Sequence, residues 1–234
     1  MSLGSLYGIG VGPGAPDLIT VRAVRILGET RVVLAAASPR NDYSTALEIA
    51  RPYLRRDAAV LRLDFPMTRD RIILEDAWAR ASDSVEAVLR RGEDAVFLTL
   101  GDPLVYSTFG YLTRTLRKRD AGIPIEIVPG ITSFQAAAAL TGTVLCEGDQ
   151  SLRILPGIAD GARLEEELDA PGNAVILKAY RNFPAIRAAL ERTGRLDKAV
   201  LVSLVGLEGE TVCRNLADLP DVPPPYLSLV LSKK

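Results

Sequence analysis

Short apolar runs alternate with amphipathic stretches through the first half of the chain, and that alternation predicts a parallel sheet. Leu6–Ile9, Arg31–Ala35, Ala59–Leu63, Ala95–Leu100 and Ile125–Val128 are mostly apolar and bounded by breakers, the pattern of buried strands. Between them, Val21, Val24 and Leu27 mark one helix face, with Thr20 placed to cap it. Ile73, Ala77, Ala81, Val85 and Val88 mark a longer helix, with Trp78 beside the stripe. Strands joined by helical crossovers imply an α/β domain with helices on both faces of a five-stranded parallel sheet.

The second half has a different rhythm. Leu152–Leu155, Ala174–Ala179 and Ala199–Val205 read as strands, and Glu208-Gly209-Glu210 is short enough to turn the chain back into Thr211–Cys213. Pro223-Pro224-Pro225 leads into a last strand, Tyr226–Leu231. Helical patterns surround Leu164–Leu168 and Ile186–Leu190, the latter after Pro184, a favourable first-turn proline. These elements fit a mixed sheet. The expected organisation is an N-terminal α/β domain over residues 1–128 and a C-terminal mixed α/β domain over residues 129–234.

Composition removes several chemistries. The chain has no histidine, so imidazole is lost as metal ligand, general base or activator of a nucleophile. Cys146 and Cys213 stand alone, without the spacing of a zinc site or a disulfide framework, so no metal is expected. A net charge of −1 supplies no field for nucleic acid or acidic membrane. No basic segment leads into a secretory apolar core, and no apolar run is long enough to span a bilayer, so the expected location is the cytoplasm.

Three glycine/proline turns each follow a predicted strand. They are Gly10-Val11-Gly12-Pro13-Gly14, Gly101-Asp102-Pro103 and Pro129-Gly130-Ile131-Thr132-Ser133. Open α/β sheets bind small molecules at the carboxyl ends of their strands, so three bare turns there imply a ligand crevice built from backbone. A nicotinamide dinucleotide does not suit the first turn, because Pro13 stands where the third glycine belongs and Ala35-Ala36-Ala37-Ser38 offers no acidic residue. A phosphate-binding P-loop lacks its glycine-lysine-serine/threonine ending. Glycines that merely permit tight turns remain an alternative for any one motif.

Taken in order, the segments Gly8–Thr20 (GIGVGPGAPDLIT), Leu98–Tyr106 (LTLGDPLVY) and Ile127–Ser133 (IVPGITS) resemble the tetrapyrrole methylases, which use S-adenosylmethionine. Phe65-Pro66-Met67-Thr68, Tyr106-Ser107-Thr108-Phe109, Cys146-Glu147-Gly148-Asp149, and Lys178 with Arg181 resemble the branch acting at carbon 20 of precorrin-2 or cobalt-factor II. The resemblance implies two α/β domains with the cofactor in a cleft between them, in a homodimer. It implies cofactor contacts from Leu100, Gly101, Asp102, Val105, Tyr106, Thr132, Ser133, Leu177 and Lys178. Gly12, Pro13 and Gly14 would face the tetrapyrrole, with Arg22, Arg40 and Arg69 as candidates for its carboxylates.

Each of these has a plainer reading. Asp102 would cap a helix beginning near Val105, Lys178 would be a solvated strand end, Tyr106 core, and the arginines surface. A β-carbon at Gly101 is expected to collide with bound cofactor. Methyl transfer from a sulfonium needs reactants aligned at about 3–3.5 Å rather than a protein nucleophile. No residue is therefore assigned as catalytic.

Overall fold

In the computed structural model, residues 2–37, 44–68, 70–157, 160–220 and 222–234 are described, and they form two compact units, Met1–Thr132 and Ser133–Lys234. Arg40 and Arg69 lie outside the described residues. Among those described, ten strands make two sheets of five.

The first sheet comprises β1 (Leu6–Gly10), β2 (Val32–Ala37), β3 (Ala59–Asp64), β4 (Ala95–Thr99) and β5 (Ile125–Val128), all parallel, in the order β3-β2-β4-β1-β5. Strand periodicity explains its near-continuous apolar runs, since alternate residues feed opposite cores. In β4, Ala95 and Phe97 face α3 (Arg71–Leu89) and α4 (Phe109–Arg119), whereas Val96 and Leu98 join the cluster with α1 (Val21–Glu29) and α2 (Thr45–Ala50). Thr20 caps α1 as expected, its Oγ1 accepting from the Ala23 amide. The buried face of α1 is Ala23, Ile26 and Leu27, whereas Val21 is 87% exposed, so the predicted Val21-Val24-Leu27 stripe is rotated from the real one. Likewise Ile73 is exposed while Ala77, Ala81, Val85 and Val88 are buried.

The second sheet is mixed. It runs β6 (Leu152–Pro156), β7 (Asn173–Leu177), β10 (Ser228–Ser232), β8 (Ala199–Ser203), β9 (Thr211–Cys213), with β6 and β7 parallel and the remaining pairs antiparallel. Between α6 (Gly161–Asp169) and α7 (Phe183–Arg192), Leu164, Leu168, Phe183, Ile186 and Leu190 cover one face of this sheet, and α5 (Ser133–Thr141) packs on β10. Three predicted strands have shifted ends. β7 and β8 stop before Lys178 and Leu204, which adopt φ of 58° and 55°, and left-handed backbone cannot continue a strand. β10 begins at Ser228 rather than Tyr226.

Candidate functional site

The order β4-β1-β5 sets the three glycine turns side by side at the carboxyl end of the first sheet. Register places Gly10 opposite Thr99 and Ile9 opposite Val128, so all three loops leave at one level. An antiparallel bridge joins Gly12 to Gly101, with the Gly101 amide donating to the Gly12 carbonyl at 2.7 Å and the reverse bond at 3.4 Å. Both glycines have positive φ, 83° and 72°, which is where glycine is needed.

Below the bridge the chains touch backbone to backbone. A β-carbon on Gly130 would lie 2.1 Å from the Gly101 carbonyl oxygen, and one on Gly10 would lie 2.5 Å from the same atom and 2.6 Å from the Gly130 nitrogen. Gly101 itself differs. A β-carbon there would meet no protein atom closer than the Ile131 oxygen at 3.9 Å and the Thr132 Cα at 4.0 Å. Within the protein no atom obstructs a β-carbon at Gly101, and what restricts this position is its positive φ.

Asp102 is not a helix cap, because α4 starts at Phe109 and follows Thr108. Its Oδ2 instead accepts from the Gly130 amide at 3.1 Å and its Oδ1 from the Leu104 amide at 2.8 Å. One carboxylate thus holds its own turn and fastens it to the neighbouring loop. Beyond it, Tyr106 takes φ 50° and is half-exposed rather than core, and Val105 and Leu100 are partly buried. Thr132 is buried, and Ser133 opens α5. Gly12, Pro13 and Gly14 are all buried, so this turn contributes main chain to its surroundings rather than open side-chain surface. Arg22 lies in a surface ion pair, 2.6 Å from Glu126.

Leu177 and Lys178 belong to the second unit, where the carboxyl ends of β6, β7 and β8 coincide with the start of β10: Pro156 pairs with Leu177, Leu229 with Leu177, and Ser228 with Ser203. A β-carbon on Gly157 would fall 2.3 Å from the Lys178 carbonyl oxygen, so the turns after β6 and β7 are also in backbone contact. Two strand ends flanking β10 in left-handed conformation, Lys178 after β7 and Leu204 after β8, mark this edge. Such strain is concentrated at ligand sites. Only positive φ in non-glycine residues reveals Leu204, and a hydrophobic pattern carries no trace of it.

Near that edge Tyr180 and Tyr226 have ring centroids 4.8 Å apart, and the Arg181 Nε donates to the Tyr180 hydroxyl at 3.0 Å. Partial desolvation and then the Arg181 charge hold the Lys178 ammonium below its ordinary value, while the bond to Tyr180 raises that of Arg181. Desolvation followed by the Tyr180 neighbour raises that of Tyr226. Among the described residues no three histidine, cysteine or carboxylate side chains gather as metal ligands, and no helix is long and apolar enough to cross a membrane.

The architecture is thus a five-stranded parallel sheet with three clipped glycine loops, followed by a mixed five-stranded sheet. Residues 5–220 match the model of the Tetrapyrrole (Corrin/Porphyrin) Methylases, and the chain belongs to that family. It is 38% identical over 234 residues to the cobalt-precorrin-2 C(20)-methyltransferase of Salmonella typhimurium, covering 99% of this chain and 97% of the relative. It is 35% identical over 239 residues to the precorrin-2 C(20)-methyltransferase of a Sinorhizobium species, covering 99% and 96%. Its fold matches that of the uroporphyrin-III C-methyltransferase of Thermus thermophilus, solved with S-adenosylhomocysteine, at a TM-score of 0.66 and 23% identity over 97% of each chain.

Proposed function

We propose that this chain is an S-adenosylmethionine-dependent C-methyltransferase acting at carbon 20 of precorrin-2, or of its cobalt complex, in cobalamin biosynthesis. The observation that carries this reading is the full-length likeness to two C(20)-methyltransferases, one acting on a cobalt substrate by name and one on a metal-free substrate. The loop geometry supports the donor. Gly101 is buried, yet a β-carbon there would approach no protein atom closer than 3.9 Å, so its bare main chain leaves a small cradle beside the turn.

Bound there, S-adenosylmethionine supplies the activated methyl and its leaving group. The chain's own work is then positional. Gly101, Asp102, Val105, Tyr106, Thr132 and Ser133 would hold the donor through loop backbone. The Gly12–Gly101 bridge and the Asp102 bonds fix those loops before ligand arrives, so little ordering cost falls on binding. Orientation toward a conjugated bridge carbon supplies the acceleration, without a protein nucleophile. A homodimer in the cytoplasm, with neither nucleic acid nor membrane as partner, completes the reading.

The test is incubation with methyl-labelled S-adenosylmethionine and either metal-free precorrin-2 or cobalt-factor II, followed by NMR. One new methyl at carbon 20 is expected. A methyl at another carbon would move the chain to a different branch of the family, and tetrapyrrole binding without turnover would make it a carrier.

A further inference from the structure

We propose that Lys178, Arg181 and Tyr226 form a carboxylate-recognition subsite at the carboxyl end of β7. The identity of its ligand rests on the methyltransferase reading, which supplies two carboxylate sources, the methionine end of the donor and the acidic arms of the macrocycle.

Two cations are held near each other there at some conformational expense. Lys178 sits in left-handed backbone, φ 58°, a conformation unfavourable for a non-glycine residue. Arg181 follows three residues later, in a 3-10 turn, and its guanidinium lies 5.8 Å from the Tyr180 ring centroid while bonded to that ring's hydroxyl. Among the described residues Arg181 forms no ion pair, so nothing there balances its charge with a carboxylate. This sets it apart from Arg22, Arg55, Arg62, Arg71 and Arg119, each of which pairs with Asp or Glu.

Tyr226 adds a hydroxyl and is 58% exposed, a large aromatic ring left on the surface beside Tyr180. A guanidinium, an ammonium and a phenol carried by the turn after β7 and the approach to β10, with Tyr180 in contact with both Arg181 and Tyr226, suit a carboxylate, which accepts from all three donor types. Gly157 backs the same turn so tightly that no side chain of its own fills the space.

Calorimetry with S-adenosylhomocysteine and its decarboxylated analogue, together with absorbance titration of uroporphyrin III, separates the two sources without needing turnover. The variants are Arg181→Gln, Tyr226→Phe and Lys178→Asn, the last because asparagine tolerates left-handed backbone. Arg181→Gln is expected to weaken one ligand about tenfold, the scale of losing a charge-assisted bond. Arg181→Lys should recover part of that loss.

A loss on S-adenosylhomocysteine that vanishes with the decarboxylated analogue assigns the subsite to the donor. A loss confined to uroporphyrin III assigns it to an acidic arm. Unchanged affinity for both ligands in a folded Arg181→Gln protein overturns the proposal, as does failure of both to bind the wild-type protein. Absence of carbon-20 methylation would instead sink the functional reading and leave these binding results standing.

Discussion

The Asp102 carboxylate reaches the main chain of Gly130, accepting its amide at 3.1 Å, so a side chain after β4 secures the loop after β5. The other oxygen is occupied by the Leu104 amide. With both oxygens committed to loop amides, Asp102 sets the shape of the two loops, and under the proposed function it would act on the donor through that shape.

Removing that clamp has a separable signature. Asp102→Ala should lower stability by about 1.5–3 kcal/mol, the range for hydrogen bonds to a charged group. It should also weaken S-adenosylhomocysteine binding measured by calorimetry. Asp102→Asn keeps one acceptor but turns an amide donor toward a backbone N–H, and should fall between wild type and Asp102→Ala. Full affinity in Asp102→Ala would show that the loops hold their shape without the clamp.

The glycines divide into two kinds. Gly10 and Gly130 are closed to any side chain by backbone at 2.1–2.8 Å, and backbone cannot rotate aside. Gly10→Ala and Gly130→Ala should each cost about 3 kcal/mol or more in urea denaturation, the upper end of overpacking penalties. Gly101→Ala has room within the protein and pays only for its φ of 72°, about 1–2 kcal/mol. Gly101→Ala should therefore fold well yet bind S-adenosylhomocysteine poorly, because the added methyl occupies the cradle.

This division was invisible in the chain of letters, although the turns themselves were plain. Strands β1, β4 and β5 read clearly because helices cover both faces of the sheet and nearly every position is apolar. The function of Asp102 depends on β5 lying two strands from β4, a fact of topology that no local pattern carries. Helix α5 is not legible in the sequence because its alanine run is buried around much of its circumference and has no polar stripe to set a period. Helix α2, of six residues, is too short to show one. The ends of β7 and β8 were overrun because Lys178 and Leu204 carry no mark of left-handed backbone, which is imposed on them by the fold. The start of β10 reads two residues early because Tyr226 and Leu227 extend the apolar pattern ahead of Ser228, the first paired residue.

Gly8 makes a third kind of close approach, to a side chain. A β-carbon there would lie 2.3 Å from the Phe109 ring, itself fully buried against Phe97. Gly8→Ala should cost about 2 kcal/mol, within the overpacking range. Combined with Phe109→Leu, it should cost less than the sum of the single variants, with coupling of about 1 kcal/mol for residues in contact. Simple additivity in urea melts would mean that the ring moves aside unaided.

The pH dependence of stability tests the charge environment at Lys178. Its folded value lies below the unfolded one, by desolvation first and the Arg181 charge second. The folded state therefore disfavours the ammonium, and the penalty is fully present below the folded value. As pH rises from the folded toward the unfolded value, the folded chain has released a proton that the unfolded chain still holds, so stability gains. Tyr226 works the other way, because its raised value disfavours the phenolate in the fold and removes stability as pH passes the unfolded tyrosine value. Lys178→Met has no proton to release. The stability of wild type minus that of Lys178→Met should climb between neutral pH and the ordinary lysine range, with Tyr226 cancelling from the difference. A flat difference would mean that the ammonium is as well solvated in the fold as out of it. Saturating S-adenosylhomocysteine should flatten the climb if its carboxylate occupies the subsite, because an anion restores the charged form.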